Sequence, residues 1–258
     1  MTVGRRWRQS LVLWLLALPL LAAAPRPDQP ASRLDKPFWS RQFAQQKPLL
    51  ARGRYDVILL GDSLTHELTL TGPQSWVDFR PLWQTWFACH RTIDLGFPGD
   101  TTANLLWRIE NGGVPVVAPK AAVVLIGTNN NRPALGWTGT ETASAIRVIV
   151  ARLHDRYKAT RIIVLGIPPN GYIGADTKID AANAALAAMD WSGLNAVYVP
   201  TADLFETNGQ LDTSLFREPH TGGRALHPDV AGWQKIAARL NPPLAQALGV
   251  PPGPCPAH

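Results

Sequence analysis

Tyr55-Asp56-Val57-Ile58-Leu59-Leu60-Gly61-Asp62-Ser63-Leu64-Thr65 is the stretch that sets the fold. Val57 to Leu60 form a short, unbroken apolar run that ends on a glycine. Such a run predicts a strand covered on both faces, as in a parallel sheet. Gly61-Asp62-Ser63 then reads as a strand-to-helix turn. A serine there is exposed, and its N–H lies near a helix N-terminus that favours negative charge. The plainer reading of the same residues is an Asp/Ser helix cap.

Working outward, the first run spans 55–61, and similar runs follow at 92–97, 121–127, 161–167 and 196–201. Helices are expected between them at 74–88, 101–111, 140–157 and 178–189. A leading helix is expected at 38–50, and a last one at 229–248, interrupted by Pro242-Pro243. Strand alternating with helix implies a parallel sheet with helices on both faces and right-handed crossovers. Ligands in such folds bind beyond the carboxyl ends of the strands.

The chain has 258 residues, 46% apolar and 17% charged, enough to bury one α/β core. Arg5, Arg6 and Arg8 precede the apolar run from Leu11 to Leu21, and Ala22-Ala23-Ala24 supplies small residues for cleavage. Residues 1–24 are therefore expected to be a signal peptide, 25–37 a proline-rich linker and 38–258 a single domain, periplasmic or secreted. The apolar run is short for a membrane span, so any membrane attachment would come only through this segment uncleaved. The formal charge of +6 falls to +3 without those three arginines, and no dense basic run follows, which argues against nucleic acid as a partner. Cys89 and Cys255 can pair in an oxidising compartment, but sequence leaves the pairing open. No Cys-x-x-Cys or zinc-type spacing occurs, and no metal or organic cofactor is expected.

The turn after the second run is Gly96-Phe97-Pro98-Gly99-Asp100-Thr101-Thr102, where Gly99 permits close backbone approach and Asp100 or Thr101 can cap a helix. After the third comes Gly127-Thr128-Asn129-Asn130-Asn131, whose amides could serve as donors or simply build an Asx-rich turn. Near the C-terminus stands Leu226-His227-Pro228-Asp229, with Asp229 suited to cap the last helix.

Taken together, Ser63, Gly99, Asn129 and His227 resemble, in order, the four blocks of the SGNH/GDSL hydrolase superfamily. Gly99-Asp100-Thr101-Thr102, Leu106-Trp107-Arg108-Ile109-Glu110-Asn111-Gly112 and Gly127-Thr128-Asn129-Asn130 look most like its platelet-activating-factor acetylhydrolase-like branch. The resemblance implies a flavodoxin-like three-layer α/β/α sandwich with a five-stranded parallel sheet. It implies Ser63 as nucleophile, His227 as base, and an oxyanion hole from the N–H groups of Ser63 and Gly99 and the Asn129 amide.

One position departs from the pattern. The family places Asp three residues before the histidine, and here that residue is Arg224, which cannot accept a hydrogen bond. Three readings stay open. Glu218 folds back across the insert 219–225 to His227; a backbone carbonyl orients His227; or the crevice binds without cutting. Asp229, as a cap, is a poorer acid, and His220 a poorer base. Arg224 could grip an anionic substrate group or simply be solvated. Trp76, Trp107 and Trp137 are available to wall a narrow cleft or to fill the core. The expected substrate is a small ester or acylated glycan, with acetyl-like groups removed by hydrolysis. The alternatives are O-acyl transfer to a polysaccharide, as in a cellulose or exopolysaccharide system, and non-catalytic polysaccharide binding.

Overall fold

The apolar runs become five strands in a computed structural model, which describes residues 26–172 and 174–256. The signal peptide expected at 1–24 lies outside the described residues. The strands are β1 (Val57–Gly61), β2 (Thr92–Gly96), β3 (Ala121–Leu125), β4 (Arg161–Leu165) and β5 (Ala196–Val199). All pair in parallel in the order β2-β1-β3-β4-β5, the flavodoxin-like arrangement that the resemblance implied.

Alternation along each strand divides the core. Val57, Leu59, Val123, Leu125, Ile163 and Leu165 face one layer, while Ile58, Leu60, Val124, Ile162 and Val164 face the other. Helices α3 (Arg80–Trp86) and α7 (Val230–Leu248) cover the first face through Leu82, Trp233, Ile236 and Leu240. Helices α4 (Thr102–Glu110), α5 (Gly139–Arg156) and α6 (Asp176–Ala188) cover the second through Leu105, Ile149 and Ile179. Each such side chain contributes about 1.5–3 kcal/mol by leaving water. The chain-leading helix α1 (Pro37–Arg52) stacks Trp39 and Phe43 against Phe97, with Trp107 packed on the same cluster. Trp107 is thus part of this packing and not a cleft wall.

Three expectations are corrected. The helix expected from 74 begins only at Arg80, because Thr71 pairs with Asp78 and closes the preceding residues into a loop. The last helix is not interrupted: α7 runs through Pro242 and Pro243. A mid-helix proline costs about 3 kcal/mol; here buried Leu240, Leu244 and Leu248 hold the helix down. Asn241 also brackets Gly253 with two hydrogen bonds, 3.0 and 2.7 Å. The described part of the expected linker is not a free tether. Pro27 is buried, its carbonyl accepts from Thr102 Oγ1 (2.8 Å), and Ala31 exchanges hydrogen bonds with Ala103 and Asn104.

The open cysteine question is answered by a Cys89–Cys255 disulfide, with Cα atoms 5.5 Å apart. It ties the C-terminal tail beside α3, where Cys255 N–H also donates to the Thr85 carbonyl. Closing a loop this long constrains the unfolded chain by about 4–5 kcal/mol in the chain-entropy model. Among the described residues no helix is long and apolar enough to cross a membrane.

Candidate active site

β1, β2 and β3 end in register, with Gly61 opposite both Gly96 and Leu125, so the turns after them open on one edge. Gly61 is dictated by close approach: a Cβ there would lie 2.0 Å from Thr65 Oγ1 and 2.3 Å from the Leu125 carbonyl. Asp62 caps the short helix α2 (Ser63–His66) by accepting from Leu64 N–H at 3.0 Å. That leaves Ser63 at the first helical position, its Oγ 3.0 Å from His227 Nε2. Burial raises the Asp62 carboxyl to about 7, against the Leu64 hydrogen bond.

His227 is placed by a loop whose two limbs pair. Phe216 bridges Pro228, and Arg217 N–H donates to the His227 carbonyl at 2.8 Å. The limb turns at Glu218–Thr221 and reverses at Gly222. Glu218 therefore folds back: Oε1 hydrogen-bonds His227 Nδ1, while Oε2 accepts from the N–H of Leu226 (3.1 Å) and His227 (2.9 Å). Of the three arrangements left open, this is the geometry of the first. Burial opposes ionisation of Glu218, but the His227 ring and backbone N–H groups outweigh it and bring the carboxyl down to about 2. Asp229 is engaged elsewhere, capping α7 through Gly232 N–H (2.9 Å) and meeting His220 Nε2 at 3.1 Å. His220 also stacks on Trp76, so neither residue of that pair serves Ser63.

Sequence reasoning missed Glu67 and Arg217. Glu67 sits one turn after Ser63, buried, with Oε1 3.7 Å from His227 Nδ1 and 2.8 Å from Arg217 Nη2. Burial raises its carboxyl well above the usual range, and the Glu218 charge adds to this against Arg217. Glu218 is thus the carboxylate in direct contact with the ring, and Glu67 a buried neighbour that faces Arg217. An acid four residues after the serine, amid Leu64 and Leu68, was the available signal.

On the opposite side, Gly99 adopts φ +79°, and neither its N–H nor that of Ser63 has an acceptor among the described residues. Arg132 donates to Asn129 Oδ1 at 2.6 Å and fixes the amide. Asn129 Nδ2 spends one hydrogen on the Asp100 carbonyl (3.0 Å) and keeps a second. The loop is anchored from below by Arg108, which reaches Asp100 Oδ2 (2.8 Å) and the carbonyls of Leu95 and Gly61 (both 3.0 Å). Asp100 Oδ1 accepts from Trp39 Nε1 and Arg33. Of the two possible caps of α4, Thr101 holds the position, with Asn104 Oδ1 accepting its N–H and hydroxyl. Buried Asn130 ties the third block to the second through Thr102. The one cluster of metal-type side chains among the described residues, Cys89, His90 and Cys255, is occupied by the disulfide.

The family model for GDSL-like lipases/acylhydrolases matches residues 59–235. Human platelet-activating factor acetylhydrolase IB subunit alpha2 is 34% identical over 116 residues, which is 45% of each chain. The chain thus spans less than half the length of the curated relatives it matches. In fold it is similar to the acetylxylan esterase Axe2 from Geobacillus stearothermophilus (TM-score 0.53, 18% identity, 76% of this chain and 95% of that one). A carbohydrate esterase family 3 structure from Talaromyces cellulolyticus is similarly related (TM-score 0.52, 18% identity, 77% and 100%). With the family model covering well over half of its residues, the chain belongs to the GDSL-like lipase/acylhydrolase family of ester-cleaving enzymes.

Proposed function

We propose that the protein is an exported serine esterase that removes short acyl groups, acetyl foremost, from a glycan. The observation that carries this is the line from Ser63 Oγ through both nitrogens of His227 to the Glu218 carboxylate. His227 Nε2 takes the proton as Ser63 attacks the ester carbonyl, forming a tetrahedral adduct. The ring, held by Glu218 in the tautomer that leaves Nε2 free, then returns the proton to the departing sugar hydroxyl. Water then attacks the acyl-enzyme and gives its proton to His227 Nε2, which passes it to Ser63 Oγ as the acyl group leaves as the free acid. The oxyanion is received by the N–H groups of Ser63 and Gly99 and by the free Asn129 hydrogen, each donor contributing about 3–4 kcal/mol.

The glycan part of the reading is supported by the acetylxylan and carbohydrate esterases that share the fold. Export to the periplasm or outside the cell is supported by the Arg5-Arg6 and Leu11–Leu21 pattern and by the disulfide. The deciding assay compares a short-chain chromogenic ester in wild type and Ser63→Ala. We expect a loss of about 10⁴–10⁶ in turnover. Equal rates would overturn the serine-esterase reading.

A further inference from the structure

Next to the Ser63–His227 line lies a cavity of about 620 Å³, within the range of small-ligand sites. Asn129 lines it, so it opens directly on the oxyanion side. Its wall also carries Arg132, Lys178 and Arg224, from three separate loops or helix starts, and no Asp or Glu. Among the described residues no carboxylate pairs with any of these three cations; the ion pairs are all made elsewhere. Positive charge is also concentrated at the rim. A Cβ placed on Gly99 would lie 3.2 Å from Arg33 Nη1 and Nη2, and 3.4 Å from Arg132 Nη2. Two guanidinium groups thus converge on one of the proposed oxyanion donors, and only Arg33 has a carboxylate partner. Arg33 is offset by Asp100 and Arg132 in part by the nearby Asp62 carboxyl, while Lys178 and Arg224 have no ion-pair partner among the described residues; like charges gathered with so little compensation cost free energy, a cost that a bound anion relieves.

The chain path explains how Arg224 comes to be there. Ala225 is pinned to the β4–α6 connection by Gly171 N–H, which donates to its carbonyl at 2.8 Å. With the carboxylate beside His227 supplied by Glu218, position 224 is free to face the cavity instead. The cations also differ in role. Arg132 holds Asn129, whereas Arg224 and Lys178 have no hydrogen bond of their side chains among the described residues and are available to a ligand.

We infer that this cavity is an anion-reading subsite, and that the acylated glycan carries a carboxylate, as a uronic acid residue does, next to the scissile ester. The inference rests on the serine-esterase reading but does not share its test. The matched probes are a methyl glucuronide acetate and the corresponding methyl glucoside acetate, which differ only in a carboxylate against a hydroxymethyl group. Wild type should show kcat/KM about tenfold higher on the glucuronide, as expected for a charge-assisted contact in a partly wet site. The preference should shrink as salt is raised. In Arg224→Gln/Lys178→Gln the ratio should fall toward one, and Arg224→Glu should push it below one. Equal kcat/KM on the two probes in wild type, or a ratio untouched by these variants, overturns the subsite while leaving the esterase intact. A larger gain for an acetylated sugar phosphate than for the glucuronide overturns the carboxylate assignment. Should the wild type cleave no ester, binding of methyl glucuronide by calorimetry still decides. Affinity lost in Arg224→Gln/Lys178→Gln supports the subsite, and equal affinity in both proteins refutes it.

Discussion

On one side of Ser63, the Gly99 loop rests on Asp100 and Arg108, whose side chains are both 0% exposed and whose contacts reach the ends of β1 and β2. On the other, His227 rests on Glu218, 24% exposed, inside a surface loop, and the hydrogen bonds from Glu218 to the ring and its backbone cross no more than nine residues. The oxyanion side is therefore part of the core, and its geometry is as rigid as the sheet beneath it. The base side is a local hydrogen-bonded turn that needs only a carboxylate within reach of Nδ1. That difference explains how the carboxylate can sit at Glu218 while Arg224 occupies the family's usual acid position. Moving a carboxylate along a surface loop disturbs little packing, whereas moving Asp100 would strand a buried guanidinium.

The comparison breaks most readily at Glu218. Glu218→Gln keeps the shape but loses the charge that orients and stabilises the ring. By analogy with the serine-protease aspartate, kcat should fall by up to about 10⁴-fold. Stability should change by only about 1–2 kcal/mol, the scale of charge-assisted hydrogen bonds in a partly wet loop. Steady-state kinetics beside a denaturant melt read both quantities. Unchanged turnover would remove Glu218 from the mechanism.

Arg108→Met probes the other side and should show the reverse balance. It leaves Asp100 buried without its principal partner, takes the guanidinium donor from the Leu95 carbonyl and leaves the Gly61 carbonyl to the Phe97 N–H. Breaking a buried pair in this way costs about 3–5 kcal/mol, which a fall in the denaturation midpoint would register. Turnover of the fraction that folds should fall through misplacement of Gly99. A variant as stable as wild type would show that the Gly99 loop does not depend on the core, and the contrast would collapse.

These physical differences also decided what could be read from sequence. The strands and the residues after them were legible because a buried parallel strand is a run of apolar residues and its turn is short. Ser63, Gly99, Asn129 and His227 all lie within six residues of a strand end or helix start. Glu218 could be named only among alternatives, since its reach to His227 depends on the reversal at Gly222 and the pairing of Phe216 with Pro228. Glu67 was hidden because its significance comes from burial. Arg224 could be singled out from its place beside His227, but its company with Arg132 and Lys178 was hidden because the three are far apart in the chain. The passage of α7 through Pro242-Pro243 was misread because local propensity argues for a break, while burial of Leu240, Leu244 and Leu248 overrides it.

The smallest expected effect is the pH dependence of the Glu218 contact. In the folded protein the carboxyl lies at about 2, against an ordinary 4.5. A carboxyl with a lowered folded value binds fewer protons folded than unfolded. Its contribution is thus complete above about pH 4.5 and is lost as pH falls toward 2. Solvent around the loop reduces that contribution to about 1–2 kcal/mol. The core carboxyls work in the opposite direction: Asp62 and Asp94 are raised by burial to about 7, so their contribution weakens as pH rises toward neutrality. Subtracting the stability of Glu218→Gln from that of wild type cancels those buried groups and isolates the loop. The difference should be near its full value at about pH 6 and should vanish near pH 2. A difference that stays constant across that window would mean that Glu218 is held by shape and not by charge, and the loop would then resemble the core side more than its exposure suggests.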